Sequence, residues 1–251
     1  LVKMSTRVSS ASFRFINRET FKTPYAKWPN SKNLFCDALR DVGGMKKLLE
    51  PLPIARIEKT HKYIWEPTGE QLAFSTTQVC NTKTPEQLEN IERYRHKWQP
   101  RGETAHYALQ QRMLGNDKIE MGDYEDWIKP LMDLELWEDF EPWAVEYMLC
   151  DLEKSVGGQL DLLGYDNKSQ KLMLIDLKTQ SQKYAKPYST DAQMGSYLEA
   201  LAEHHKIIPD VCKTIWARPN RCVVGEDQHT IDCAYAWSQA WKRFDSEQGG
   251  F

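Results

Sequence analysis

The chain has 251 residues, 41% of them hydrophobic, which is enough to bury a full core and suits one large domain. The formal charge of −3 is near neutral, although basic residues dominate the first hundred positions and acidic residues dominate 117–146. That asymmetry permits a polyanion-facing side without demonstrating one. The sequence has no long apolar run and no signal-peptide pattern. It therefore predicts a soluble intracellular protein, in the cytoplasm of a bacterium or phage-infected cell or in an organelle.

Six cysteines are scattered along the chain without a C-x-x-C pair. This spacing argues against a zinc ribbon and against a disulfide scaffold, so packed, reduced thiols are expected. No Walker A pattern occurs either. The chain should not by itself be an ATP-driven helicase-nuclease.

Residues 1–60 are assigned to an N-terminal extension in which only residues 31–42 have a helical pattern, and their role stays open. Residues 61–251 are assigned to the main domain. Its first predicted feature is a hairpin, formed by residues 61–65, a turn at 66–69 and residues 71–75, which would shield one edge of the core.

Two helices are predicted next. Thr84 and Gln87 form a capping box with Pro85 at the first helical position, so a helix is expected over residues 85–98. Residues 99–102 should break it, and a second helix, over residues 103–114, contains His106. Apolar spacing over residues 131–137 indicates further helix in the acidic stretch.

Alternation of side chains over residues 143–150 predicts a strand, in which Glu146 lies on the face opposite Val145. It should pair with the following strand, since sequential strands are usually neighbours. A solvent-facing carboxylate is the alternative to a functional role for Glu146.

Residues 156–178 predict a hairpin whose two apolar runs flank a polar tip at residues 166–169. Asp161 and Asp176 interrupt those runs, and a buried carboxylate calls for a compensating cation. Lys178 lies two residues after Asp176, so both side chains should point to one face. Two carboxylates and an ammonium suit phosphodiester hydrolysis with Mg²⁺ or Mn²⁺. A structural Asp–Lys ion pair is the alternative.

The loop after Lys178 interleaves cations and rings at Lys183, Tyr184, Lys186 and Tyr188. Such a loop could hold a nucleic-acid strand through phosphate contacts and base stacking, or be an ordinary surface loop. Thr190 or Asp191 can cap the next helix, on which Gln193 and Tyr197 share a face. Strands are predicted at residues 214–217 and 229–232, and a terminal helix at 235–244.

Five segments in this order resemble the RecB-like exonuclease family of the PD-(D/E)XK nuclease superfamily, which includes the mitochondrial genome maintenance exonuclease and related phage exonucleases. They are Arg101-Gly102-Glu103-Thr104-Ala105-His106, Glu146 on its strand, Gly158-Gln159-Leu160-Asp161, Ile175-Asp176-Leu177-Lys178-Thr179, and Gln193 with Tyr197. The resemblance covers roughly residues 60–245. It implies an α/β fold with a restriction-endonuclease-like core, in which helices flank a mixed central sheet.

The resemblance also implies roles for individual residues. It assigns metal ligation to His106, Asp161, Asp176, the backbone carbonyl of Leu177 and, as an additional candidate, Glu146. It assigns catalytic roles to Asp161, Asp176, Lys178, Gln193 and Tyr197. Substrate contacts are predicted from the chemistry of the loop after Lys178, not from the resemblance, for Thr179, Lys183, Tyr184, Lys186 and Tyr188.

The implied cofactor is Mg²⁺ or Mn²⁺, and the implied partner is DNA, single-stranded or with free ends, with no membrane involved. Relatives with an iron-sulfur cluster carry a closely spaced downstream cysteine trio. Cys212, Cys222 and Cys233 are ten and eleven residues apart, so no such cluster is expected.

The resemblance favours a DNA exonuclease, and two alternatives stay open. One is a structure- or sequence-specific endonuclease, and the other is a catalytically silent nucleic-acid-binding module of the same fold. Neutralising either aspartate should relieve like-charge repulsion and could raise metal-free stability.

Overall fold

The computed structural model describes residues 48–57, 60, 62–116 and 118–249. The helix predicted at residues 31–42 lies outside these ranges. The described strands are β1 Ile54–Ile57, β2 Lys62–Trp65, β3 Glu70–Gln71, β4 Phe74–Ser75, β5 Phe140–Asp151, β6 Val156–Asp166, β7 Lys171–Thr179, β8 Val211–Arg218 and β9 Arg221–Val224. The described α-helices are α1 Thr76–Cys80, α2 Pro85–Arg93, α3 Arg95–Met113, α4 Glu125–Met132, α5 Asp191–His205 and α6 Thr230–Gln248.

Six strands form a mixed sheet in the order β4-β6-β7-β8-β9, with β5 also pairing with β6. The β4–β6 and β7–β8 pairs are parallel, and the other pairs are antiparallel. The β5–β6 and β6–β7 pairings confirm both the strand neighbour and the hairpin that the sequence predicted. The Asp166 carboxylate accepts from the Lys168 and Ser169 amides and so fixes the hairpin tip.

Helices cover both faces of this sheet. Met194, Leu198 and Leu201 of α5 pack on one face against leucines of β6 and β7. Side chains of α3 and α4 pack on the other face, where Ile175 and Leu177 of β7 are buried. The predicted α/β class, with a mixed sheet flanked by helices, is confirmed. Strand β7 is therefore covered on both faces.

A second, three-stranded sheet, β1-β2-β3, packs beside β5. It contains the predicted hairpin, but only Glu70 and Gln71 form its return strand. Phe74 and Ser75 instead pair in parallel with β6, so the single strand predicted over residues 71–75 was wrong. Because β1 pairs with β2, residues before position 61 already belong to this unit. The assignment of residues 1–60 to an extension stays a prediction.

The first helix pair is divided at Tyr94 rather than at Pro100. The capping box at Thr84 and Gln87 is present, as predicted. Tyr94 leaves helical geometry at φ −101° and ψ 12°, and α3 then continues through Pro100. Proline removes the hydrogen bond to the carbonyl of His96, but His96 is exposed and water can satisfy that carbonyl. Predicting a break from the proline alone was therefore wrong.

Further segments also differ from the sequence predictions. Residues 229–232 were predicted to be a strand, but α6 begins at Thr230. Gln228 still pairs with Cys212 at the sheet, so the chain leaves the sheet just before the helix. The helix expected over residues 131–137 is α4, which ends at Met132, followed by a 3-10 turn at Glu135–Trp137.

The five described cysteines are free thiols, as predicted, and Cys36 lies outside the described ranges. Among the helices that the structure describes, none combines the length and hydrophobicity needed to span a bilayer.

Candidate active site

The candidate site lies where one side of strand β6 stops pairing with β7 and, further along, pairs with β4. The β6–β7 ladder ends at the pair Leu162 and Ile175, whereas Val156 and Gly157 of the same strand pair with β4. Asp161 is the first β6 residue beyond the β7 ladder, and Asp176 is the first β7 residue beyond it. A break in strand pairing frees backbone and side chains for other contacts, and both aspartates occupy this break.

Asp161 reaches toward α3. Its Oδ1 lies 3.3 Å from Nδ1 of His106, and the same nitrogen lies 3.0 Å from Oε1 of Glu146. The other oxygen, Oδ2, accepts from the Leu177 amide at 2.6 Å. One ligand atom from each of His106, Glu146 and Asp161 lies within 4.8 Å of the other two. Elements far apart in sequence thus bring these side chains into a single cluster.

Glu146 is positioned by an unusual backbone conformation and by a polar chain. Its φ is 47°, in the left-handed region that a non-glycine residue rarely adopts. Gln159 Nε2 donates to Glu146 Oε2 at 2.6 Å, and Arg56 Nη1 donates to Gln159 Oε1 at 2.9 Å. The chain from Arg56 to His106 therefore connects β1 to the cluster. The solvent-facing alternative for Glu146 is wrong.

Asp176 reaches toward α5 instead. It is 1% exposed, and its Oδ1 accepts from Lys178 Nζ at 2.8 Å and from Gln193 Nε2 at 2.9 Å. Gln193 also donates to the Tyr197 hydroxyl at 2.9 Å. Oδ2 lies 2.7 Å from Lys178 Nζ, but no donor meets it in hydrogen-bond geometry. The predicted shared face of Asp176 and Lys178, and of Gln193 and Tyr197, is confirmed.

The two aspartates differ in electrostatics. Burial raises the pKa of the Asp176 carboxyl to about 6, although the Lys178 ammonium opposes this rise. Burial also acts on Asp161, but the His106 and Lys178 cations and the Leu177 amide outweigh it and lower the Asp161 pKa. For His106, burial is outweighed by Asp161 and Glu146, so the imidazole pKa is well above its ordinary value. Opposite environments thus act on two neighbouring carboxylates.

The donor set fits a divalent cation. Carboxylate oxygens suit Mg²⁺ and Mn²⁺, and an imidazole adds a nitrogen ligand. The carboxylates of Glu146 and Asp161 surround His106 Nδ1, where a metal cation could take the place of the imidazole proton. Asp176 Oδ2 is buried and accepts no hydrogen bond in good geometry. One atom each of His106, Glu146 and Asp161 is close enough to the other two to hold a single cation, whereas ligation by Asp176 stays a prediction. Ligation by the Leu177 carbonyl stays a prediction.

The loop after β7 lies beside these groups. Tyr184 is 76% exposed and Tyr188 is 56% exposed. The Tyr188 ring contacts Trp216. The charges of Lys178 and Asp176 both act on the pKa of the Tyr188 hydroxyl, so this ring lies close to the site. Lys183 lies 6.0 Å from the Tyr184 ring centroid. Substrate contacts by this loop, Lys186 and Thr179 stay predictions.

Sequence reasoning missed three residues that the structure places here. Gln159 donates to Glu146, and Arg56 donates to Gln159. The Arg221 guanidinium lies 5.6 Å from the Tyr184 ring centroid. Gln159 lay inside a quoted motif, next but one to Asp161, and that proximity was the available signal. Arg56 and Arg221 carry no local signal, because tertiary structure alone brings them near the site.

The sequence matches the profile of the PD-(D/E)XK nuclease superfamily over residues 70–235. The chain belongs to the PD-(D/E)XK nuclease superfamily. No curated protein matches it. One solved structure, described as "Crystal structure of SSO0001", aligns over 66% of this chain and 73% of that chain, at 13% identity and a TM-score of 0.30. That similarity is too low to support an argument about fold or function.

Proposed function

We propose that this superfamily nuclease is a DNA exonuclease that hydrolyses phosphodiester bonds of single strands or free ends with Mg²⁺ or Mn²⁺. The observation that carries the proposal is the break between β6 and β7. There Asp161, Asp176 and Lys178 meet the His106–Glu146 pair. A silent binding module would have no need for this complete set of buried charges, because each one costs desolvation free energy.

Each residue has a distinct role in this proposal. A divalent cation held by the carboxylates and His106 would lower the pKa of a water molecule and offset charge on the phosphate. Lys178 is held by Asp176 and can orient the attacking water or donate to a phosphate oxygen. Gln193 fixes Asp176 and Tyr197 together, so it keeps the carboxylate in position. Binding the cation at His106 requires that the imidazole lose its proton.

The preference for single strands is supported by the loop after β7. Exposed rings at Tyr184 and Tyr188 can stack on bases of any sequence, and Lys183 and Lys186 can neutralise phosphates. Stacking needs unpaired bases, which single strands and frayed ends supply. The loop therefore favours sequence-tolerant binding of flexible strands over readout of a duplex.

A gel assay with labelled oligonucleotides tests the proposal. Single strands, blunt duplexes and covalently closed circles would each be incubated with Mg²⁺, with Mn²⁺ and with EDTA, and an Asp161→Asn/Asp176→Asn protein controls for contaminating nuclease. We expect metal-dependent degradation of linear single strands, with closed circles intact. Cleavage of closed circles would indicate an endonuclease instead. Binding without cleavage in either metal would leave a binding module.

A further inference from the structure

Among the residues that the structure describes, two arginines near the end of β7 have no acidic partner. Arg101 on α3 is 9% exposed, and Arg218 at the end of β8 is 4% exposed. Within the ranges the structure describes, neither forms a salt bridge, and the Arg101 side chain donates no hydrogen bond. Nε of Arg101 and Nη2 of Arg218 are buried without an acceptor. Buried cations are normally paired, so each guanidinium lacks a counter-charge that a bound anion could supply.

A ring packs against Arg101, and an amide oxygen accepts from Arg218. The Arg101 guanidinium lies 5.4 Å from the Trp127 ring centroid, and Trp127 Nε1 donates to the Gln180 carbonyl at 2.8 Å. Gln180 Oε1 accepts from Arg218 Nε at 2.8 Å. Burial lowers the Arg101 pKa, and Tyr124 alone acts in the opposite sense. A ring and an amide can position a guanidinium, but they do not neutralise its charge.

This arginine cluster, defined as Arg101 and Arg218 with Trp127 and Gln180, lies next to the active site. Gln180 comes two residues after Lys178, and at the rise of a strand this separation is about 7 Å. A Cβ atom at Gly102 would lie 3.9 Å from Thr179 Oγ1, so α3 passes beside the end of β7 at Arg101. The cluster therefore adjoins the strand that carries Asp176 and Lys178.

A guanidinium presents a planar fork of donors that matches the oxygens of a phosphate. We propose that Arg101 and Arg218 bind backbone phosphates of the nucleic-acid strand next to the phosphodiester that is cleaved. The inference rests on the proposed nuclease function and deepens it. These contacts hold the strand in register with Lys178, so the arginines act as positioning residues. They bind sequence-independently, because every nucleotide supplies the same phosphate.

The test compares Arg101→Gln, Arg218→Gln and the double variant with the wild-type chain. Affinity for a labelled single strand and for a duplex would be measured with Ca²⁺ replacing Mg²⁺, at several salt concentrations. Arg112→Gln is the matched control, since it removes an exposed arginine from the same helix, about 16 Å further along. Thermal melts of every variant and a kcat and KM determination on the cleaved substrate complete the set.

Each arginine that binds a phosphate contributes about 0.7 to the magnitude of the single-strand log–log salt slope. Each single variant should therefore lose about 0.7 of slope, and its loss of affinity between about 50 and 200 mM salt should be about 2.6-fold smaller. KM should rise more than kcat falls, and melting temperatures should hold or rise because an unpaired buried charge is removed. Arg112→Gln should leave slope and KM unchanged.

Unchanged slopes in folded Arg101→Gln and Arg218→Gln proteins, or lower melting temperatures with normal slopes, would overturn the assignment and leave a structural role. Should the glutamine variants not fold, Arg101→Lys and Arg218→Lys keep the charge and lose the fork. Higher KM in these variants supports the proposal, and wild-type KM overturns it. A wild-type protein that cleaves closed circles would refute the exonuclease proposal alone, because the salt slopes are measured with Ca²⁺ and do not depend on how the strand is cut.

Discussion

Neutralising the two aspartates should change metal-free stability in opposite directions. Asp176 has a folded pKa of about 6, against an ordinary value of 3.8. The difference corresponds to about 3 kcal/mol of destabilisation when the carboxylate is charged at pH 8. Asp176→Asn should raise the unfolding free energy by up to this amount, because the pKa of about 6 already includes the attraction of Lys178. Asp161→Asn should lower it, because the Asp161 pKa is depressed and its charge stabilises the fold.

The raised pKa of Asp176 also determines how the unfolding free energy changes with pH. A folded pKa above the unfolded value contributes stability that is present below pH 3.8 and lost as the pH rises through about 6. Wild-type protein should therefore gain about 1 kcal/mol from Asp176 between about pH 8 and pH 5, a gain that Asp176→Asn cannot show. The advantage of the asparagine variant should shrink by that amount at pH 5.

Urea unfolding in EDTA, at both pH values, measures these changes. An Asp176→Asn/Lys178→Met protein is the control, because removing both partners of a buried ion pair is often neutral or stabilising. A relative stability of Asp176→Asn that rises toward pH 5, or an Asp161→Asn protein more stable than wild type, would refute the reasoning. The simpler expectation that loss of either aspartate relieves repulsion treats them alike, and their environments differ.

Three further predictions concern activity, metal and substrate. Lys178→Ala should cut kcat by orders of magnitude in single-turnover assays, and a loss below about tenfold, or ~1.4 kcal/mol, would contradict its role. Mn²⁺ should stabilise the folded protein by about 2.7 kcal/mol when its concentration is a hundred times Kd, and the melting temperature should rise accordingly. The stabilisation by Mn²⁺ should decrease when the pH is lowered below the raised pKa of His106, because a proton then competes with the metal for the imidazole. A stabilisation that does not depend on pH would exclude His106 as a ligand. Lys183→Ala with Lys186→Ala should reduce the single-strand salt slope by about 1.4, and an unchanged slope would leave both as surface lysines.

Local signals accounted for much of the fold. The capping box at Thr84 and the hairpin around residues 166–169 depend on neighbours in sequence, and both are present. The error at Pro100 arose because the proline rule ignores solvent, which satisfies the freed carbonyl of an exposed helix. The error at residues 229–232 arose because Thr230 and Ile231 favour strands locally. Cys233, Ala234, Trp237 and Ala240 are all buried, however, and their spacing keeps the segment helical.

The candidate site was predictable only in part, for a physical reason. Asp176 and Lys178 share a face because strand periodicity is local, and that prediction is confirmed. Whether a charge has a partner depends on distant elements. The sequence could not reveal that Asp161 reaches toward α3 while Asp176 reaches toward α5. It also could not reveal that Arg101 Nε is buried without an acceptor among the described residues.

The backbone at Glu146 bears on how this enzyme could be engineered. A residue other than glycine at φ 47° costs about 1–2 kcal/mol relative to ordinary geometry. Glycine would remove that cost together with the carboxylate beside His106. Under the proposed function, a library selected for heat resistance alone could retain Glu146→Gly members that lack one of the proposed metal ligands. Screens of this protein need a cleavage readout from the first round, since thermal tolerance and turnover compete at this position.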